Sequence, residues 1–131
     1  MTSLNAIQKA IFDKLAGDAT LARMVTGVFD EVPQGTGFPY ITIGEMTEVP
    51  FNTFDRKGRD CTVTLHIWSQ YPGNKEAVEI LGRMNALLDY EPLNVEGLSL
   101  VHCQFENATT IEEPDGKTRH VPVRYRVVVQ G

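Results

Sequence analysis

The chain has 131 residues, with 12 Lys and Arg against 17 Asp and Glu, for a formal net charge of −5 and a pI near 5.1. That balance argues against general nucleic-acid binding, which needs a surplus of cations to neutralise phosphates. At 42% hydrophobic and 22% charged residues the composition is ordinary for a soluble globular protein, and the length suits one domain over residues 1–131 around a single core. No apolar run approaches the roughly 20 residues that cross a bilayer. The opening MTSLNAIQKAIFDKL lacks the charged start and unbroken apolar block of a secretion signal, so no membrane role is expected. Cys61 and Cys103 form no CxxC motif and lie far apart in sequence, which reads as buried reduced thiols.

In chain order, Leu4, Ile7, Ile11 and Leu15 recur at helical spacing with Ala10 in the same stripe. They predict an amphipathic helix over residues 3–16, capped by Ser3 and stopped by Gly17. Asp18 suits the cap of a short helical turn through Leu21 and Met24. Val28, Phe29 and Val32 read as a short extended segment, and QGTG at 34–37 as a loop. Residues 39–49 form a strand rich in β-branched side chains. PFNTFDRKGR, within an extended loop 50–59, is too long for a tight turn and too polar for a core.

Residues 60–69 form the second long strand, with Cys61, Val63, Leu65 and Ile67 on one face and Thr62, Thr64, His66 and Trp68 on the other. Tyr71, Pro72 and Gly73 end it. Ala77, Ile80, Leu81, Met84, Leu87 and Leu88 then advance by three or four, the spacing of an amphipathic helix. Gly73 or Asn74 suits its cap, and Pro92 is expected to stop it. Two last strands carry Val101, Cys103 and Phe105, then Val121, Val123, Tyr125, Val127 and Val129, with Arg124 and Arg126 opposite. Between them a hairpin arm, 109–118, contains EPDGK. A three-residue Pro-Asp-Gly loop would set Phe105 against Tyr125, Cys103 against Val127 and Val101 against Val129. The pattern predicts an α+β fold: a mainly antiparallel sheet of four long strands, plus a short one, with two amphipathic helices packed on one face.

Catalytic and cofactor motifs are weak. His66, His102 and His120 have no i, i+4 histidine partner and no Glu-x-x-His; His66 and His102 could meet only if their strands were neighbours. No G-x-S-x-G occurs, Ser69 lacks a nucleophile's context, and Gly35-x-Gly37 is a fragment of a phosphate loop. No enzyme activity, metal or other cofactor is expected. The unusual feature is the strand face meant for water, which carries Thr62, Thr64, His66, Trp68, Arg124 and Arg126. Aromatic and Arg side chains mark interface hot spots. Either a neighbouring copy covers Trp68, or the 50–59 loop of its own chain does.

FPYITIGE at 38–45, LHIWS at 65–69, KEAVEIL at 75–81, GLSLV at 97–101, Asp115-Gly116 and HVPVRYR at 120–126 follow one another in an order that resembles the tail-completion, or tail-terminator, proteins of long-tailed bacteriophages, prophages and gene transfer agents. PYITIGE and LHIWS are the most specific segments of that resemblance. It implies a structural virion protein, made in the bacterial host cytoplasm and placed at the head–tail junction. There it would form a hexameric ring of this chain on the head-proximal end of the tail tube, stop tube growth and join tail to head. Expected partners are further copies, the tail tube protein and head-completion or connector proteins, with DNA passing through unbound. Exposure then assigns the subunit interface to Phe51, Phe54, Arg56, Lys57, His66, Trp68, Arg124 and Arg126. It assigns contact with tube or head to Glu112, Glu113, Asp115 and Lys117. The alternatives are another neck or tail-tube component of the same particle, or a small-ligand-binding α+β domain.

Overall fold

The computed structural model describes residues 2–131. Its elements are α1 (Leu4–Ala16), α2 (Ala19–Ala22), β1 (Val28–Phe29), β2 (Tyr40–Pro50), β3 (Gly58–Ser69), α3 (Lys75–Leu88), β4 (Ser99–Ala108), β5 (Ile111–Glu112) and β6 (Arg119–Gln130). The strands form one six-stranded sheet in the order β1-β2-β3-β6-β4, with β5 also pairing β6. The β1–β2 pair is parallel and the other pairs are antiparallel. The fold is therefore α+β, as the patterning predicts.

Alternation decides the buried face. Cys61, Val63, Leu65 and Ile67 of β3 and Val121, Val123, Tyr125, Val127 and Val129 of β6 are fully buried. They share one core cluster with Ile7, Ile11 and Leu15 of α1 and Ala77, Ile80, Met84 and Leu88 of α3. Removing each large aliphatic side chain from water stabilises the fold by about 1.5–3 kcal/mol. Cys61 and Cys103 lie on either side of Val127 in the register and are both buried free thiols. Two strand spacings, roughly 9–10 Å, exceed the reach of a disulfide.

The helix boundaries differ in cause from the sequence expectation. Ser3 stands at the start of α1 but makes no side-chain cap. Its hydroxyl and its N–H both donate to Glu48 Oε1 of β2 at 2.8 Å, charge-assisted bonds that direct the side chain to the sheet. Gly17 ends α1 in a right-handed conformation, with its N–H on Asp13 O at 3.0 Å. Asp18 does cap α2, accepting from Leu21 N–H at 2.8 Å, and Arg83 of α3 grips the same carboxylate at 2.9 and 2.6 Å. The extended segment near Val28 is two residues long and does not reach Val32. Pro92 does not stop α3. The helix ends at Leu88, where Asp89 turns extended to accept from Phe105 N–H at 2.8 Å. Tyr90, at φ 55°, then donates its N–H to Cys103 O at 2.6 Å. Residues 89–90 thereby occupy part of the outer edge of β4, which also carries two register shifts.

The last hairpin corrects the expected loop. Phe105 faces Tyr125 and Cys103 faces Val127, but Val129 faces Leu100, and Val101 is half exposed at a bulge. The loop has four residues, 114–117, closed by Glu113 N–H on Thr118 O at 2.9 Å. That length is one residue out of register with Phe105–Tyr125, and the shift between Phe105 and Asn107 restores parity. Gly116 takes the left-handed conformation, φ 71°, as the turn demands.

Candidate interaction surface

The sheet face opposite the helices carries a row of polar and aromatic side chains built by β3 and β6. Thr62 pairs with Arg126, Thr64 with Arg124, His66 with Pro122 and Trp68 with His120. The expected approach of His66 to His102 does not occur, because β6 lies between β3 and β4. His66 meets His120 instead, Nδ1 to Nε2 at 2.6 Å. His66 Nε2 reaches Glu45 Oε1 at 2.8 Å, and His120 Nδ1 reaches Glu113 Oε1 at 2.9 Å. Trp68 stacks on His120, centroids 3.9 Å apart and planes within 7°, and its indole N–H donates to Thr42 Oγ1 at 3.1 Å. The hydrogen bond from His66 holds Glu45 below the usual carboxylate range, and burial lowers His120.

Trp68 is therefore partly covered, though not by the 50–59 loop. Tyr40 pairs with Trp68 and Pro50 with Arg59, so the loop lies nine residues further along β3, about 30 Å away. The arm is what approaches the indole. A shallow cleft of about 330 Å³ is lined by Phe38, Tyr40, Trp68, Glu113, Pro114, Asp115 and Thr118. Phe38 and Tyr40 extend the aromatic surface, their centroids 5.0 Å apart.

The candidate residues thus fall into separate places. At the loop end, Phe51 is partly exposed and Phe54 fully exposed. Arg56 donates to Gly131 O at 3.1 Å, and Lys57 enters no ion pair among the described residues. Arg126 is held by Asp60 through two bonds, 2.9 and 2.6 Å, and that guanidinium holds the carboxyl low. Arg124 is exposed and forms no ion pair among the described residues. At the arm end, Glu112 pairs with Arg119 at 3.0 Å. Asp115 accepts from Lys117 N–H at 2.8 Å, Thr118 N–H at 2.9 Å and Thr118 Oγ1 at 2.7 Å, and the Thr118 N–H first of all lowers its pKa. Lys117 is exposed.

Sequence reasoning missed His120, Glu45, Asp60 and Tyr40. Period-two alternation puts His120 on the face of Arg124 and Arg126, but its place beside Trp68 needs the strand order. Among the described residues no group of three or more His, Cys, Asp or Glu is placed to hold a metal ion.

The fold and this surface define a class: a small α+β subunit whose polar and aromatic groups are spread over one sheet face and two loop tips. The chain belongs to the family described as "Tail completion protein gp17", whose profile matches residues 9–130. It is 31% identical over 124 residues to the tail completion protein gp17 of Bacillus phage SPP1, covering 95% of this chain and 92% of that one. The solved structure of bacteriophage SPP1 gp17 matches with a TM-score of 0.65 at 29% identity, over 94% of this chain and 88% of that chain. A chain in the virion of a native gene transfer agent particle shares the fold at a TM-score of 0.92 and 23% identity, over 99% and 98% of the two chains. The protein is a structural component of the virion tail, working among other tail proteins, and not an enzyme.

Proposed function

We propose that this chain assembles as a hexameric ring on the head-proximal end of the tail tube, ends tube polymerisation there and joins the tail to the head-completion or connector proteins. One observation supports the ring above others. Two chemically different contact patches lie at opposite ends of the same strands: the Phe51, Phe54, Arg56, Lys57 loop and the His66, Trp68 end with the arm. A closed ring of identical subunits uses heterologous contacts, with two unlike patches on each chain. Arg124 and Arg126 on the intervening face complete the subunit interface in this reading. Glu112, Glu113, Asp115 and Lys117 of the arm meet the tube or the head. The acidic balance of the chain suits a passage through which DNA slides without sticking.

Negative-stain microscopy of particles lacking this chain tests the assignment. Overlong tails, or tails unattached to heads, are the expected outcome. Absence of tubes would instead make the chain a tube subunit, and intact particles would remove it from the junction.

A further inference from the structure

The side chains Glu45, His66, His120 and Glu113 form one continuous hydrogen-bonded chain across β2, β3, β6 and the base of the arm. Taken as three hydrogen bonds, its contacts require three hydrogens. Each carboxylate accepts, so His66 Nε2 and His120 Nδ1 must both carry hydrogen. The 2.6 Å contact between the rings holds one hydrogen more. Three protons on four ring nitrogens make one imidazolium shared by two imidazoles.

We propose that these four residues form an acid-opened latch between the hairpin arm and the sheet, closed while the two imidazoles share a single proton. A fourth proton places N–H against N–H at the His66–His120 contact and sets two cations side by side. The rings then part, and His120 leaves the indole of Trp68 and carries Glu113 with it. Losing the shared proton has a smaller effect. Two hydrogens must then serve three bonds, and the bond given up is the one to Glu45, whose side chain is 74% exposed against 29% for Glu113. Water replaces the first at little cost, while the less exposed end persists. The latch therefore opens on the acid side only.

Among the described residues the surroundings supply no competing counter-ion. Asp115 is committed to the turn and Glu112 to Arg119. Arg124 stands one register row from His66 and Arg126 one row further, bound to Asp60. Tyr40 lines the neighbouring cleft. Glu76 of α3 reaches β3 from the other face, where it accepts from Ser69 Oγ. Burial lowers His120, so the charged form of that ring is disfavoured where it stands.

The chain has a single tryptophan, and it is stacked on the latch, so indole emission reads its state directly. The experiment titrates the ¹⁵N-labelled full chain and follows ring-nitrogen shifts, Trp68 emission and the amide order of residues 113–118. Near neutral pH the ring shifts should report three hydrogens on the four nitrogens of His66 and His120. A separate acidic step should change the emission and reduce amide order in the arm, and His66→Asn should abolish that step. Two histidines titrating independently in the ordinary range, or an emission step that survives His66→Asn, overturns the latch. If His66→Asn does not fold by circular dichroism, Glu113→Gln gives the answer. It should loosen the arm already at neutral pH, and unchanged arm order there counts against the proposal.

Discussion

Tyr125 sits fully buried in the sheet, and its hydroxyl donates to Asn85 Oδ1 of α3 at 2.6 Å. Burial drives the phenol far above its usual range. Tyr125→Phe strands the Asn85 acceptor, so a loss of about 1–2 kcal/mol is expected. Tyr125→Ala also opens a cavity and should cost about 3–5 kcal/mol. Urea midpoints check both, and equal values for the two variants would mean that the site collapses. Burial pushes the Cys103 thiol up to about 12 and raises Cys61 as well. Neither thiol should react with a disulfide reagent until the chain unfolds, and rapid labelling in native buffer would contradict the packing. At this scale, apolar parity was readable from the sequence and polar pairing was not. Which residue turns inward depends on a neighbour's side chain two places away. Whether Ser3 caps its own helix depends on Glu48, which only the folded sheet brings within reach.

Elements follow local pattern until a bulge intervenes. Long strands and both long helices were legible because their periods of two and 3.6 run over ten or more residues. The hairpin loop was not, because a four-residue loop and the bulge after Phe105 together give the same core pairing as a three-residue loop. A second irregularity, between Ile43 and Met46, sets Glu45 beside His66. A Cβ on Gly44 would stand 2.4 Å from His66 Nε2. Gly44→Ala should displace that ring and alter Trp68 emission at neutral pH with the fold retained; unaltered emission would show that the ring has room to yield. Asp18 tests the helical layer. Arg83's hydrogen bonds bring its pKa from 3.8 to about 2. A folded value below the unfolded one stabilises above the unfolded pKa, and the contribution disappears as pH falls through the folded one. Denaturant midpoints should therefore fall between roughly pH 4 and 2, and Arg83→Gln should flatten that part of the profile. His120, lowered by burial, becomes charged on taking a proton where Asp18 becomes neutral, but the direction in pH is the same, because its unfolded form takes the proton first. Acid therefore weakens the fold from the ordinary histidine range downward.

For the molecule as a whole, family membership was visible because its most specific segments, PYITIGE and LHIWS, lie on β2 and β3, which cross the centre of the sheet. The pairing of His66 with His120 was not, because adjacency of β3 and β6 skips α3, β4 and β5 in the chain. Phe54 separates stability from assembly. It is fully exposed, so Phe54→Ala should leave thermal unfolding unchanged. In particles, the same variant should reduce the fraction of tails joined to heads, counted by microscopy. Normal particles would acquit the loop. The margin of β4 bears on how such a subunit waits for its place. Asp89 and Tyr90 occupy two of its outward backbone groups, and the bulges bend the remainder. A bare strand would recruit its like and grow into fibres in a crowded cell. With this flank partly filled and bent, it is a poor template for another copy, and along it side chains rather than backbone are left to choose the neighbour.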